Sequence, residues 1–293
     1  MISIEVWFPL SIGVAVLWGL SGVFAKFSTG KIGVTRIAVL ILLVEGSLYS
    51  LAFLLWREPV RITLGDGLLA GMSCMIGITG YLCYFESIMD GQVSIAGTIS
   101  AAYPAFAVIG AVLILSETMT LVQTIGVIAI IAGIVGLSYE WNAPGSKALT
   151  RRSLFFSLAA FVTWGVWSLT SKMAIDEVGA GNIFAFYALA ALTMPPAYAF
   201  LRRTYPPSLK GTDPSRLAWT FGAVALGINV VGAWLFSFAL QDGNASLVIP
   251  ISTAYPIVTV VLAILILKEK VSRPQAGALF AVLAGLIAIG LTV

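Results

Sequence analysis

One carboxylate, Glu45, stands in the middle of an apolar run, LLVEGSLYS, where its chemistry is to hold or trade a positive charge. An ionised side chain at the centre of a membrane costs about 2.5–3.5 kcal/mol even on a lenient scale, so something specific must offset it. Two tryptophans, Trp18 and Trp164, sit at the midpoints of two other apolar runs, and an indole face offers apolar area and attracts cations. Gly77, Tyr81 and Tyr84 fall at i, i+4 and i+7 on one helical face, and Asn229 takes the place of Gly77 in a second run. Trp18, Glu45, Tyr81, Tyr84, Trp164 and Asn229 are therefore the expected ligand-contacting set. Aromatic walls with one buried acid and no buried base suit a small amine or quaternary-ammonium compound. An amino acid, aromatic ones included, is the alternative, and a lipid headgroup a third. Glu86, near the end of its run, is expected as an interfacial acid; Glu45 and Glu86 are the candidates for coupling to an ion.

A second pattern occurs twice. Residues 90–104 read DGQVSIAGTISAAYP and residues 242–256 read DGNASLVIPISTAYP, identical at eight of fifteen positions. Each is an Asp-Gly turn leading into a helix with Ser-x-x-Tyr-Pro inside it. Proline cannot donate a backbone N–H, so Pro104 and Pro256 should kink their helices and loosen the carbonyls of Ser100 and Ser252, with Tyr103 and Tyr255 alongside. In a membrane such a carbonyl is tolerated only where protein or a water-filled cavity satisfies it. These six residues are the expected gating or cavity-lining set.

The elements that must carry these residues are membrane spans. Of 293 residues, 59% are hydrophobic and 10% charged, with a mean hydropathy of +1.02, far from the composition of a soluble domain. The net charge of +3 lies between the apolar runs, which argues against nucleic acid as a partner. The absence of histidine and of any cysteine cluster argues against a metal site, a cofactor or catalytic-triad chemistry, and so against an enzyme. Cys74 and Cys83 are nine residues apart along one helix, too far for a disulfide. The first apolar run lacks a basic leader and reads as a retained span.

Ten runs are long enough to cross a bilayer: 8–28, 33–56, 66–89, 93–115, 121–139, 152–174, 181–201, 215–240, 245–267 and 274–292. Residues 1–140 and 152–293 form two sets of five joined by a linker at 141–151, with 202–214 as the second real loop. The sets repeat: Trp18-Gly19 matches Trp164-Gly165 at an offset of 146, and Glu117, Gln123 and Gly133 match Glu269, Gln275 and Gly285 at 152. Glu45 has Ala191 as its counterpart, so the acid breaks the repeat. Five being odd, the second set enters from the opposite side, which gives an all-α membrane protein of two inverted five-helix repeats. Such halves can exchange shapes, a simple route to alternating access. Without an ATP-binding motif, a gradient must drive it.

The stretches LWGLSGVFAKF and TWGVWSLTSKM, with LSETMTLVQTIGVIAIIAGIVG and LKEKVSRPQAGALFAVLAGLIAIG closing each half, resemble the EamA-type branch of the drug/metabolite transporter superfamily. The resemblance implies a ten-helix carrier of small metabolites in a prokaryotic inner or plasma membrane, with both termini in the cytoplasm. The charges predict the reverse orientation, because Arg57, Arg61 and Lys172 fall on the side of the termini and the other thirteen basic residues opposite. Lys26 and Lys172 are expected to snorkel, and Glu117 and Glu269 to cap the fifth and tenth helices. The small-residue stripes around Gly133 and Gly277-x-x-x-Ala281-x-x-x-Gly285 should pack the halves together or form a homodimer in place of a monomer.

Overall fold

The computed structural model describes residues 5–90, 99–138, 150–204, 215–267 and 272–293, and all regular structure among them is helical. In chain order α1 is Trp7–Ile32, α2 Val34–Trp56, α3 Leu64–Asp90, α4 Ile99–Ile114 and α5 Leu121–Ser138. They are followed by α6 Arg151–Val178, α7 Ile183–Thr204, α8 Arg216–Asp242, α9 in two pieces, Ala245–Ser252 and Pro256–Leu267, and α10 Arg273–Gly290. Eight are long and apolar enough to cross a membrane; α4 and α5 are shorter apolar helices. Helices satisfy their own backbone groups, which apolar surroundings demand. The outward faces are apolar as well, with Leu113, Phe155, Phe280 and Ile287 all more than 60% exposed, as suits a multi-pass membrane protein.

Hydroxyl residues start five of the helices. Thr63, Thr150 and Ser215 accept backbone N–H groups at the starts of α3, α6 and α8. Thr120 with Gln123, and Ser272 with Gln275, form reciprocal caps on α5 and α10. Glu117 therefore does not cap α5 as expected. Its carboxylate crosses to α9 and accepts the N–H groups of Ala245 (2.9 Å) and Ser246 (2.8 Å). Glu269 lies outside the described residues, as do 139–149 and 205–214, most of the two expected loops, and the expected start of the fourth span.

The longest helix contacts pair α3 with α6, α1 with α8 and α5 with α10. Glycine makes the last pairing close: a Cβ on Gly133 would lie 2.7 Å from Ala278 O, and one on Gly285 2.5 Å from Gly126 O. The small-residue stripes thus pack α5 on α10 within the chain. Gly277 has no neighbour within 4 Å of such a Cβ and stands outside this seam.

Both Tyr-Pro sites interrupt their helices more sharply than a kink. α4 turns at Ala102 and restarts with Pro104 in its first turn; α9 stops at Ser252 and restarts at Pro256. Proline suits a first helical turn, where its missing N–H has no partner to lose.

Candidate functional site

A π turn, Ile41–Glu45, interrupts α2 at mid-span, and Gly46 N–H closes it on Ile41 O. Glu45 is the last residue of that turn and is 4% exposed. Asn229 Nδ2 of α8 donates to Glu45 Oε1 over 3.4 Å. No basic side chain among the described residues forms an ion pair with Glu45; the pairs present there are Arg152–Glu86 and Lys172–Asp176. Tyr49, one turn further along α2, stacks on Tyr187 of α7 with ring centroids 5.0 Å apart. Tyr187 Oη accepts from Trp167 Nε1 at 2.9 Å.

Two aromatic groups flank this acid. Trp18 donates its Nε1 to Asn229 O (3.2 Å) and packs on Phe236 (5.3 Å) and Trp167 (6.4 Å). Trp164 packs on Tyr84 (5.4 Å), Tyr103 (5.6 Å) and Tyr81 (6.2 Å). Each indole lies over a glycine of the other half: a Cβ on Gly232 would be 2.6 Å from Trp18 Cδ1, and one on Gly80 2.6 Å from Trp164 Cδ1. The six expected ligand-contacting residues therefore converge. Trp18, Asn229 and Glu45 form one connected series; Tyr81, Tyr84 and Trp164 form a second cluster.

Part of the gating set lies next to them: Tyr103 packs on Trp164 with ring centroids 5.6 Å apart. A Cβ on Gly19 would come 2.9 Å from Tyr255 O, so the absence of a side chain there admits the break in α9 to α1. Ser100 and Ser252 are both buried, and Ser252 Oγ has no hydrogen-bond partner among the described residues.

One expectation is refined and one corrected. Glu86, expected as an interfacial acid near the end of its helix, is buried and paired: its side chain is 4% exposed, Arg152 Nη2 reaches its Oε2 at 2.6 Å, and Tyr198 Oη donates to its Oε1. Lys172 does not snorkel, because its Nζ binds Leu240 O (2.8 Å) and Asp176 (2.8 Å). The side chain of Lys26 lies outside the described residues. The sequence reading missed Tyr49, Trp167 and Tyr187. Tyr49 is four residues after Glu45 and Trp167 three after Trp164, spacings that do carry the signal; Tyr187 had none, since only packing brings α7 to α2.

The chain is similar to an uncharacterized protein of Methanocaldococcus jannaschii, 34% identical over 73 residues, which are 25% of this chain and 53% of that protein. The chain thus spans about half the length of that relative. It is also similar to an uncharacterized transporter of Archaeoglobus fulgidus, 24% identical over 229 residues, covering 78% of this chain and 77% of that one. A solved crystal structure of a protein shares the fold, with a TM-score of 0.78 and 21% identity over 99% of this chain and all of the other. The profile of the EamA-like transporter family matches twice, at residues 6–139 and 151–291. A mid-span acid among aromatic side chains, in a bundle of apolar helices matched end to end in this way, identifies the chain as a membrane transporter belonging to the EamA-like transporter family.

Proposed function

We propose that this transporter is a secondary-active carrier of a small amine or quaternary-ammonium compound in a prokaryotic inner or plasma membrane. It works by alternating access between two inverted five-helix halves, residues 1–140 and 152–293. The observation that carries the substrate class is Glu45: a buried mid-span carboxylate with one long hydrogen bond, no basic partner among the described residues, and indole and phenol rings around it. A desolvated cation needs a counter-charge and gains from aromatic faces. Trp18, Tyr81, Tyr84, Trp164 and Asn229 supply the walls and the orienting amide. Ser100, Tyr103 and Pro104, with Ser252, Tyr255 and Pro256, form the hinges beside them. Glu86, held by Arg152, is a strut, which leaves Glu45 as the coupling candidate.

The inverted repeat is supported by contacts that exchange partners under it. Trp18 on Gly232 corresponds to Trp164 on Gly80, Gly19 on Val258 to Gly165 on Phe106, and Gly133 on Val282 to Gly285 on Ile130. The double family match and an archaeal relative a little under half as long as this chain support it too. Exchanges of this kind are what a two-fold relation between halves requires.

A thermal-shift screen of purified protein against amino acids, quaternary amines and polyamines, repeated with Glu45→Gln, tests the substrate class, since a ligand of the folded state raises its melting temperature. An ammonium compound should stabilise the parent and leave the variant unmoved. Equal stabilisation of both by a zwitterionic amino acid would replace the amine with the alternative substrate.

A further inference from the structure

On one face of the bundle the two halves are clasped at two points. In the first, Glu58, just past α2, places Oε1 on Gly181 N–H (3.0 Å), while Glu58 N–H donates to Asn182 Oδ1 (3.0 Å) and Asn182 Nδ2 to Glu58 O (3.0 Å). Asn182 is 4% exposed and also donates to Val178 O (2.9 Å), so it is locked at both ends. The corner is shaped for this. Gly179 has φ +84°, and a Cβ on it would meet Glu58 Oε2 at 2.5 Å; one on Gly181 would lie 1.7 Å from Trp56 O. In the second, Glu117 spans from the α4–α5 turn to the first-turn N–H groups of Ala245 and Ser246, which have no partner within α9. Beneath the first clasp Trp56, Phe184, Trp234 and Phe238 close the space between the halves with ring-on-ring contacts of 5.2–6.5 Å.

Resting on the carrier reading above, we infer that these clasps are the gate of that face: Glu58 and Glu117 of the first half hold it shut by binding backbone N–H groups of the second. The chemistry fits a gate better than a weld. A carboxylate takes two N–H groups at once with charge-assisted bonds, yet a helix start stripped of it can be satisfied by water when the face opens. Both acids are bound to main chain, so either half can move away without leaving a buried ion pair broken. Gln241 Oε1, accepting Ala180 N–H at 2.9 Å, ties α8 to the α6–α7 turn inside the second half, which lets that side move as one body.

Ser246 supplies the reporter, because its Oγ is buried at the Glu117 clasp and has no hydrogen-bond partner among the described residues. In a Cys74→Ala, Cys83→Ala background, Ser246→Cys and the exposed control Thr118→Cys are labelled with a membrane-impermeant methanethiosulfonate in vesicles of both orientations. Ser246→Cys should react slowly beside Thr118→Cys. Adding Glu117→Ala or Glu58→Ala should speed it by about tenfold or more, and Glu117→Gln by less, since an amide has one acceptor oxygen for two donors. Unchanged rates in variants that still elute as folded protein, or a parent rate equal to that of the control, overturn the gate. If the alanine variants do not fold, Glu117→Gln and Glu58→Gln decide the matter by the same rates. The labelling uses no substrate, so the gate can fail while amine binding stands, and the reverse.

Discussion

Asn229 donates to Glu45 across the α8–α2 interface over 3.4 Å, longer than the usual range for such a bond. A bond of this length satisfies a buried carboxyl poorly and leaves room for a better partner. Asn229→Ala should therefore cost about 1–3 kcal/mol of stability with Glu45 present, and well under about 1 kcal/mol in a Glu45→Leu background, where no acid needs the donor. Melting of the four variants checks this; equal losses in both backgrounds would mean that the bond carries no energy.

The two indole-on-glycine seats make a symmetric prediction. Gly80→Ala and Gly232→Ala each put a methyl 2.6 Å from an indole carbon, so each should destabilise by about 1–3 kcal/mol, and by similar amounts. Gly277→Ala, with open space around it, should stay within about 0.5 kcal/mol of the parent. A large difference between the two seats, read in thermal melting, would count against equivalent halves.

Glu86 tests the cost of stranding an acid. Arg152→Ala removes a guanidinium whose side chain is 39% exposed, so solvent softens the effect and the expected loss is about 1–2 kcal/mol. Glu86→Gln should recover most of that loss in the double variant. Additive losses would place the contribution of Arg152 elsewhere, in its packing over Phe156 (5.4 Å).

Tyr187 separates ring face from hydroxyl. Tyr187→Phe keeps the face beside Tyr49 and loses only the hydroxyl's hydrogen bonds with Trp167 and Ser171, so ammonium affinity should stay within about threefold of the parent. Tyr187→Leu, without the face, should weaken binding by about 5- to 30-fold. Isothermal titration with the ligand found in the screen measures both. A Phe variant as weak as the Leu variant would mean that the hydroxyl, not the ring, meets the cation.

Much of this architecture is local in origin and was legible residue by residue. Apolar runs of about 20 residues imply spans, a proline in mid-run implies at least a kink, and a carboxylate amid LLVEGSLYS implies a need for a partner, because each rests on desolvation or backbone chemistry that a short stretch determines. The repeat was legible too, since matching residues at constant offset need no coordinates. Packing decided the rest. Nothing near Glu117 in the chain says that its carboxylate serves α9 rather than α5, nor that Glu86 meets Arg152 and Tyr198, nor that Lys172 ends on the Leu240 carbonyl. The π turn at Glu45 and the approach of Tyr187 to Tyr49 are equally invisible. A polar group in a membrane takes whichever partner the fold brings within about 3 Å, and that partner can come from any of the other helices, so sequence alone determined which residues needed partners and tertiary structure decided who they were.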